Sequence, residues 1–475
     1  MIKRIIRHYL QPAQLVALSF LSVILIGTFL LSLPISTRSG NGIPLIDAFF
    51  TATSATCVTG LAVVDTGTEF SVFGQLVILV CIQIGGLGLM TFTTIFLVAA
   101  GRRLAIADRI IIQESFHHTA TGDIKTLVKY IVSASLVIEA IGAFLLTLWW
   151  SATGRFSSLG ETIYHAVFHS ISAFCNAGFA LYPDSLTSFQ SDTPTVLIIS
   201  SLIIIGGLGF LVGLDVKEFL QVLFFRRFWS KRVKQRVDAG RPRPRLSVHS
   251  KLVLITTFAL LLVGMVSYFL LERRGLFVEM NTGTAWLNAF FCSVTARTAG
   301  FNTIDFAQMG ASGLLCTMVL MFIGAGSGST GGGVKTNTFG LLVAYSITRW
   351  RGFVNLNIFN RTIARESIDK AGAVVVAAIA LIILAGSFLM ATETYSLNPE
   401  ASHSAFVSII FETISAFSTV GLSLGQTADL TIPGKLVICL VMFVGRTGPL
   451  TLALAISRRR RRTQLRFAEE NVMIG

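Results

Sequence analysis

The chain has 475 residues, 53% of them hydrophobic and only 13% charged, with a mean hydropathy of +0.73. Such values belong to multi-pass membrane proteins and leave no room for a large soluble catalytic domain. The net charge of +14 raises the question of nucleic acid, but 30 of the 38 Lys and Arg residues cluster at the N-terminus, in every second loop and in the tail. That asymmetry follows the positive-inside rule, so both termini and the basic loops are expected on the cytoplasmic side and no nucleic-acid partner is expected. Cys57, Cys81, Cys175, Cys292, Cys316 and Cys439 form no CxxC pair, so they read as small buried hydrophobes rather than disulfides or metal ligands.

In chain order, Lys3, Arg4 and Arg7 precede an apolar run over 15–33, which is too long for a signal peptide and lacks a cleavage motif. It reads as a retained first span. Seven further apolar segments follow, at 72–100, 126–150, 194–224, 250–271, 312–348, 371–391 and 433–456. Each is long enough to cross a bilayer. Between the members of each pair lies a shorter, more polar piece ending in glycine: FTATSATCVTG (50–60), FHSISAFCNAG (168–178), FFCSVTARTAG (290–300) and FETISAFSTVG (411–421). The four glycines, Gly60, Gly178, Gly300 and Gly421, are 118, 122 and 121 residues apart, close to a quarter of the chain. Self-similarity of that period is an internal repeat. Ser54, Ser172 and Ser415 share one column, with Val294 as the exception.

A second glycine column supports the repeat. Gly85-Gly86-Leu87-Gly88, Gly206-Gly207-Leu208-Gly209, Gly324-Ala325-Gly326 and Gly445-Arg446-Thr447-Gly448 follow 25, 28, 24 and 24 residues behind the first column. Close helix packing is an equally good reading of these clusters. The expected fold is an all-α polytopic membrane protein, with eight transmembrane helices forming four repeats of span, re-entrant pore helix and span (M1-P-M2) around a pseudo-fourfold pore. The repeats cover 1–101, 102–225, 226–349 and 350–457, and 458–475 is a cytoplasmic tail.

Short polar segments at membrane depth need protein or a water-filled cavity around them. Four short helices converging on an axis would point the negative ends of their dipoles at one place, which suits a cation. The backbone after each helix is then the expected selectivity filter: Cys57, Val58, Thr59, Gly60; Cys175, Asn176, Ala177, Gly178; Arg297, Thr298, Ala299, Gly300; and Ser418, Thr419, Val420, Gly421. The expected ion ligands are the carbonyls of Val58, Thr59, Asn176, Ala177, Thr298, Ala299, Thr419 and Val420. Arg297 is awkward beside such a site, and it is expected to point behind the filter toward an acid, with Glu412 a candidate.

The sixth span is interrupted by 324–338, rich in glycine. Gly326-x-Gly328-x-x-Gly331 formally matches a dinucleotide fingerprint but has no preceding strand, and Val334 separates Gly333 from Lys335 where a phosphate loop needs GK. Neither enzyme reading holds. The expectation is a gate formed by Gly326, Gly328, Gly331, Gly332, Gly333 and Lys335 together with Arg446, a charged residue at membrane depth.

With the four glycine segments, RTAGFN, GSTGGGVKT and GRTGP in hand, the chain resembles the potassium transporter superfamily containing Trk, Ktr and HKT proteins. The absence of an extra N-terminal helix pair and the ending FAEENVMIG are similar to its KtrB branch. The resemblance implies K+ as the transported ion with Na+ as a candidate co-ion, and no cofactor in this chain. It further implies a homodimer, a cytoplasmic ring of KtrA-like nucleotide-binding regulatory subunits, and residence in the bacterial cytoplasmic membrane. A twelve-helix secondary transporter would need the short segments to span and acids at the midplane. A membrane enzyme would need a nucleophile with its base, or metal-ligand spacing, and the sequence supplies neither.

Overall fold

The structure is a computed structural model that describes residues 12–87, 124–228, 246–395 and 399–448. Outside the described residues lie Lys3, Arg4 and Arg7, the end of the second apolar run, the basic stretches around Arg103 and Arg241, and the tail 458–475. Helix starts follow local capping chemistry. Ser71, Ser158, Ser247, Asn281 and Thr431 each accept a hydrogen bond from the backbone N–H three residues on, satisfying a donor that the first turn cannot.

Fifteen α-helices result among the described residues. They are α1 (Pro12–Leu31), α2 (Leu45–Cys57), α3 (Val72–Gly86), α4 (Ile124–Ala152), α5 (Leu159–Phe174), α6 (Thr193–Leu208), α7 (Phe210–Phe228), α8 (Val248–Glu272), α9 (Thr282–Thr295), α10 (Ala311–Phe322), α11 (Thr336–Trp350), α12 (Arg365–Glu393), α13 (Pro399–Ser418), the short α14 (Gln426–Asp429) and α15 (Ile432–Thr447). A two-residue hairpin, Asn357–Ile358 with Arg361–Thr362, joins α11 to α12. Among the described residues, three helices are long and apolar enough to cross a membrane: Val128–Ala152, Val248–Glu272 and Arg365–Glu393. A fourth candidate is the pair Thr193–Leu208 and Phe210–Gln221, bent by 99°.

The apolar segment over 194–224 is thus not one straight helix. Gly209 at the break has φ +96°, a conformation glycine accepts and side chains resist, and its N-terminal neighbour Leu208 ends α6. The expected interruption of the sixth span is present: α10 ends at Phe322, Ile323 bridges Val334 in parallel, and α11 resumes at Thr336.

The short polar helices lie inside. Thr51, Thr53, Ser54 and Thr56 of α2 are all buried, as are Ser170 and Ser172 of α5, Ser293 and Thr295 of α9, and Thr413 and Ser415 of α13. Their packing follows a cyclic rule: α3 packs on α5, α6 on α9, α10 on α13, and α15 on α2, which closes the circle. An ion pair seals the last joint, Lys435 Nζ of α15 lying 2.7 Å from Asp47 in the first turn of α2.

Candidate functional site

The four glycines of the repeat meet. A Cβ built on Gly60 would lie 3.1 Å from the Gly178 Cα, one on Gly178 3.0 Å from the Gly300 Cα, one on Gly300 3.2 Å from the Gly421 Cα, and one on Gly421 2.9 Å from the Gly60 Cα. The contacts run in chain order and return to the start. Beside each glycine lies the carbonyl of the residue preceding the next one: Ala177 O at Gly60 and Ala299 O at Gly178, 2.5 and 2.8 Å from the built Cβ, then Val420 O at Gly300 and Thr59 O at Gly421. Four carbonyls and four side-chain-free residues therefore occupy one ring, with no space for a Cβ.

Backbone angles show how each strand reaches that ring. Val58, Asn176, Thr298 and Thr419 have φ of +57°, +59°, +73° and +49°, and the glycine two residues later is again positive, at +94°, +70°, +78° and +93°. A non-glycine residue in this region costs about 1–2 kcal/mol, so four in one column mark a backbone held in place by its surroundings. The holding bonds are visible. Thr59 N donates to Ser54 O at 2.8 Å, Ala177 N to Ser172 O at 2.8 Å, and Val420 N to Ser415 O at 2.9 Å. Ser54 and Ser415 hydroxyls also accept from the Gly60 and Gly421 amides, both at 3.1 Å. In the third unit Val294 cannot do this, and the next residue, Thr295, hydrogen-bonds Phe301 O at 2.5 Å, as Ser172 does to Phe179 O at 2.8 Å.

The side chains of the column diverge in environment. Cys57 and Cys175 are buried, and Gly86 packs against the Cys175 Sγ. Asn176 joins units two and three: with Nδ2 donating to Ala173 O (3.0 Å) and Ile203 O (3.1 Å), its Oδ1 accepts from Thr298 Oγ1 at 3.2 Å. Thr59, Ser418 and Thr419 have buried hydroxyls without a hydrogen-bond partner.

Arg297 requires a correction. Its guanidinium donates to Thr336 Oγ1 (3.0 Å), Thr257 Oγ1 (3.4 Å) and Gly324 O (3.5 Å), not to a carboxylate. Glu412 instead accepts from Ser423, Leu424 and Thr427. Arg297 thus ties the third strand to both ends of the broken span, a role invisible in sequence because Gly324 and Thr336 become neighbours only when the loop folds back.

The loop 325–338 lies against the ring from one side. Gly331 abuts the Thr298 side chain, Gly332 the Thr419 side chain, and a Cβ on Gly333 would lie 3.2 Å from the Ser418 Cα. It docks on α6 through Gly326 N to Gly207 O (2.8 Å) and Thr330 N to Gly206 O (3.3 Å), and Gly328 O accepts from Phe210 N at 3.0 Å. Lys335 Nζ donates to Gly331 O at 2.5 Å, curling the loop on itself. Arg446 donates one nitrogen to Thr330 O of the loop and the other to Gly85 O at the end of α3. The second glycine column is a seat for the short helices: a Cβ on Gly85, Gly206 or Gly445 would strike the carbonyl of Thr56, Phe174 or Phe417, each four residues before a ring glycine. In the third unit the aligned glycine, Gly324, instead abuts Gly332 O of the loop, so the spacing of the two columns signals the seat in three units only.

Comparison with known proteins places this architecture. Residues 7–461 match the family profile TrkH, cation transport protein. The chain is 41% identical over 464 residues to Ktr system potassium uptake protein B of Vibrio alginolyticus, covering 97% of this chain and 94% of that protein. It is 40% identical over 472 residues to the protein of the same name in Bacillus subtilis, at 98% and 97% coverage. It is 37% identical over 476 residues to potassium/sodium uptake protein NtpJ of Enterococcus hirae, at 100% and 99% coverage. The crystal structure of the potassium transporter TrkH from Vibrio parahaemolyticus shares the fold, with a TM-score of 0.66 at 21% identity, covering 95% of this chain and 86% of that one. These proteins are named as transporters rather than enzymes, and the chain belongs to the TrkH/Ktr family of cation transport proteins.

Proposed function

We propose that the chain takes up potassium across the cytoplasmic membrane through the glycine ring. The observation that carries this reading is the closed circle of Gly60, Gly178, Gly300 and Gly421 with the carbonyls of Thr59, Ala177, Ala299 and Val420 between them. Neutral carbonyl oxygens replace an ion's water without trapping it, and the C-terminal ends of α2, α5, α9 and α13 add partial negative charge. The ion ligands on this reading are the carbonyls of Val58, Thr59, Asn176, Ala177, Thr298, Ala299, Thr419 and Val420. Loop 325–338 and Arg446 form the gate below them.

The same proposal has eight spans as four M1-P-M2 units, cytoplasmic termini and a homodimer. A cytoplasmic ring of nucleotide-binding regulatory subunits would act on the loop. The relatives named as parts of a Ktr system support a partner, and the one named for both ions supports Na+ as a co-ion. The test is potassium-limited growth of an uptake-deficient host, paired with K+ and Na+ flux in liposomes. Replacing any ring glycine with alanine should abolish rescue, and growth indifferent to all four replacements would sink the assignment.

A further inference from the structure

Nine residues before each ring glycine, on the flank of each short helix, the sequence carries a different residue: Thr51, His169, Phe291 and Glu412. In two units this residue accepts a hydrogen bond from the backbone of the strand that leaves the ring. Glu412 Oε1 accepts from Leu424 N at 3.2 Å, and His169 Nε2 accepts from Leu181 N at 3.4 Å. Leu424 and Leu181 are both the third residue after their glycines. The two bonds therefore close the same loop at equivalent places, in units that face each other across the ring. In the other two units the column does not do this: the Thr51 hydroxyl has no partner, and Phe291 has no acceptor to offer.

Both acceptors are themselves fixed. His169 Nδ1 lies 2.8 Å from His165 O, so it carries the proton and leaves Nε2 free to accept. Its ring sits between Tyr182, stacked at 5.1 Å, and the edge of Trp150 at 6.0 Å. Glu412 is 1% exposed and is held from the far side by the hydroxyls of Ser423 on Oε1 and Thr427 on Oε2, at 2.5 and 2.7 Å. It forms no ion pair with any Lys or Arg among the described residues. A buried carboxylate without a cation is costly, and here hydrogen-bond donors converge to hold it.

We propose that Glu412 and His169 are positioning residues for ion discrimination: from opposite sides they pin the exit strands at Leu424 and Leu181 and so set the width of the carbonyl ring. The inference rests on the reading of the glycine ring as the selectivity filter. Reach, not charge, is what matters, since a neutral histidine and an acid do the same work at equivalent positions.

The experiment compares K+ and Na+ flux through the purified full chain in liposomes for Glu412→Asp, Glu412→Gln, His169→Phe and Gly421→Ser, with thermal unfolding of each variant. Glu412→Asp keeps the carboxylate but is one methylene too short. His169→Phe installs the residue that the third unit has in this column. Each should raise Na+ flux relative to K+ by about five- to tenfold, the equivalent of one lost hydrogen bond. Glu412→Gln, whose amide oxygen still reaches the Leu424 N–H, should retain most of the discrimination. Discrimination lost in Glu412→Gln and kept in Glu412→Asp would overturn the proposal in favour of charge. An unchanged ratio in Glu412→Asp and His169→Phe, alongside a changed ratio or a loss of K+ flux in Gly421→Ser, would overturn it and leave the ring reading standing. A ratio unmoved by Gly421→Ser would overturn both. Should Glu412→Asp fail to assemble, His169→Phe decides alone.

Discussion

Arg446→Ala tests the gate most directly. The side chain holds two carbonyls that belong to different elements, Thr330 O in the loop and Gly85 O at the end of α3. A hydrogen bond from a charged donor is worth about 1.5–3 kcal/mol net. Two of them at the low end come to about 3 kcal/mol, or a factor of roughly 150 in the balance between loop docked and loop withdrawn. Removing them stabilises nothing new in the docked arrangement, because the freed carbonyls of Thr330 and Gly85 would need other donors. The full chain in liposomes, without any regulatory subunit, should therefore conduct K+ much faster as Arg446→Ala, by one to two orders of magnitude.

Arg446→Lys separates two causes. A lysine keeps the positive charge but is a point donor that cannot fork to two carbonyls. If the guanidinium acts as a latch, the lysine variant should leak nearly as fast as alanine. If it acts as an electrostatic barrier, lysine should remain as slow as arginine. K+ flux unchanged in both variants would refute a role for Arg446 in gating.

Two further outcomes follow from the packing. Lys435→Met breaks the 2.7 Å ion pair with Asp47, whose side chain is only 14% exposed, and leaves that largely buried carboxylate without its partner; stability in detergent should fall by about 1–3 kcal/mol, and adding Asp47→Asn should recover part of it. Gly209→Ala sets a side chain at φ +96°, with its Cβ 2.7 Å from Ser327 O, at the point where α6 gives way to α7 and the loop docks. It should loosen the loop on Gly206 and Gly207 and raise basal flux, and an unaltered flux would separate the α6–α7 bend from gating.

How much of this was legible in sequence differs by feature. The repeat was legible because Gly60, Gly178, Gly300 and Gly421 serve one steric requirement, and a requirement for no side chain can be met by one residue type only. Val294 looked like an exception to the serine column, but the strand needs a hydroxyl at the neck rather than a serine at a fixed position, and Thr295 supplies it one residue later. The bend at Gly209 was hidden because a GGLG cluster suits helix packing equally well, and the packing reading is also true of Gly206. For Arg297 the sequence suggests an acid, with Glu412 a candidate, because opposite charges invite pairing. In a buried site, backbone and hydroxyl oxygens from Gly324, Thr336 and Thr257 can serve a guanidinium as well as a carboxylate does.

The four units meet at one ring but are not equivalent, and the differences concentrate in the third. It alone has valine in the serine column and an arginine in the strand, and among the described residues it has the longest break in a second helix, from Ile323 to Lys335. These features are connected. If the ring holds a cation, as proposed, the Arg297 side chain must be led away from it, and the oxygens it bonds, Gly324 O and Thr336 Oγ1, are the two ends of the unwound segment. The unwinding in turn lets Gly331, Gly332 and Gly333 lie flat against Thr298, Thr419 and Ser418, which a helix with side chains could not do. Symmetry is thus kept where four identical backbone contacts are needed. It is broken in the third unit, where the unwound segment reaches the ring and is held by Arg446 of the unit beside it, as the proposed gate requires.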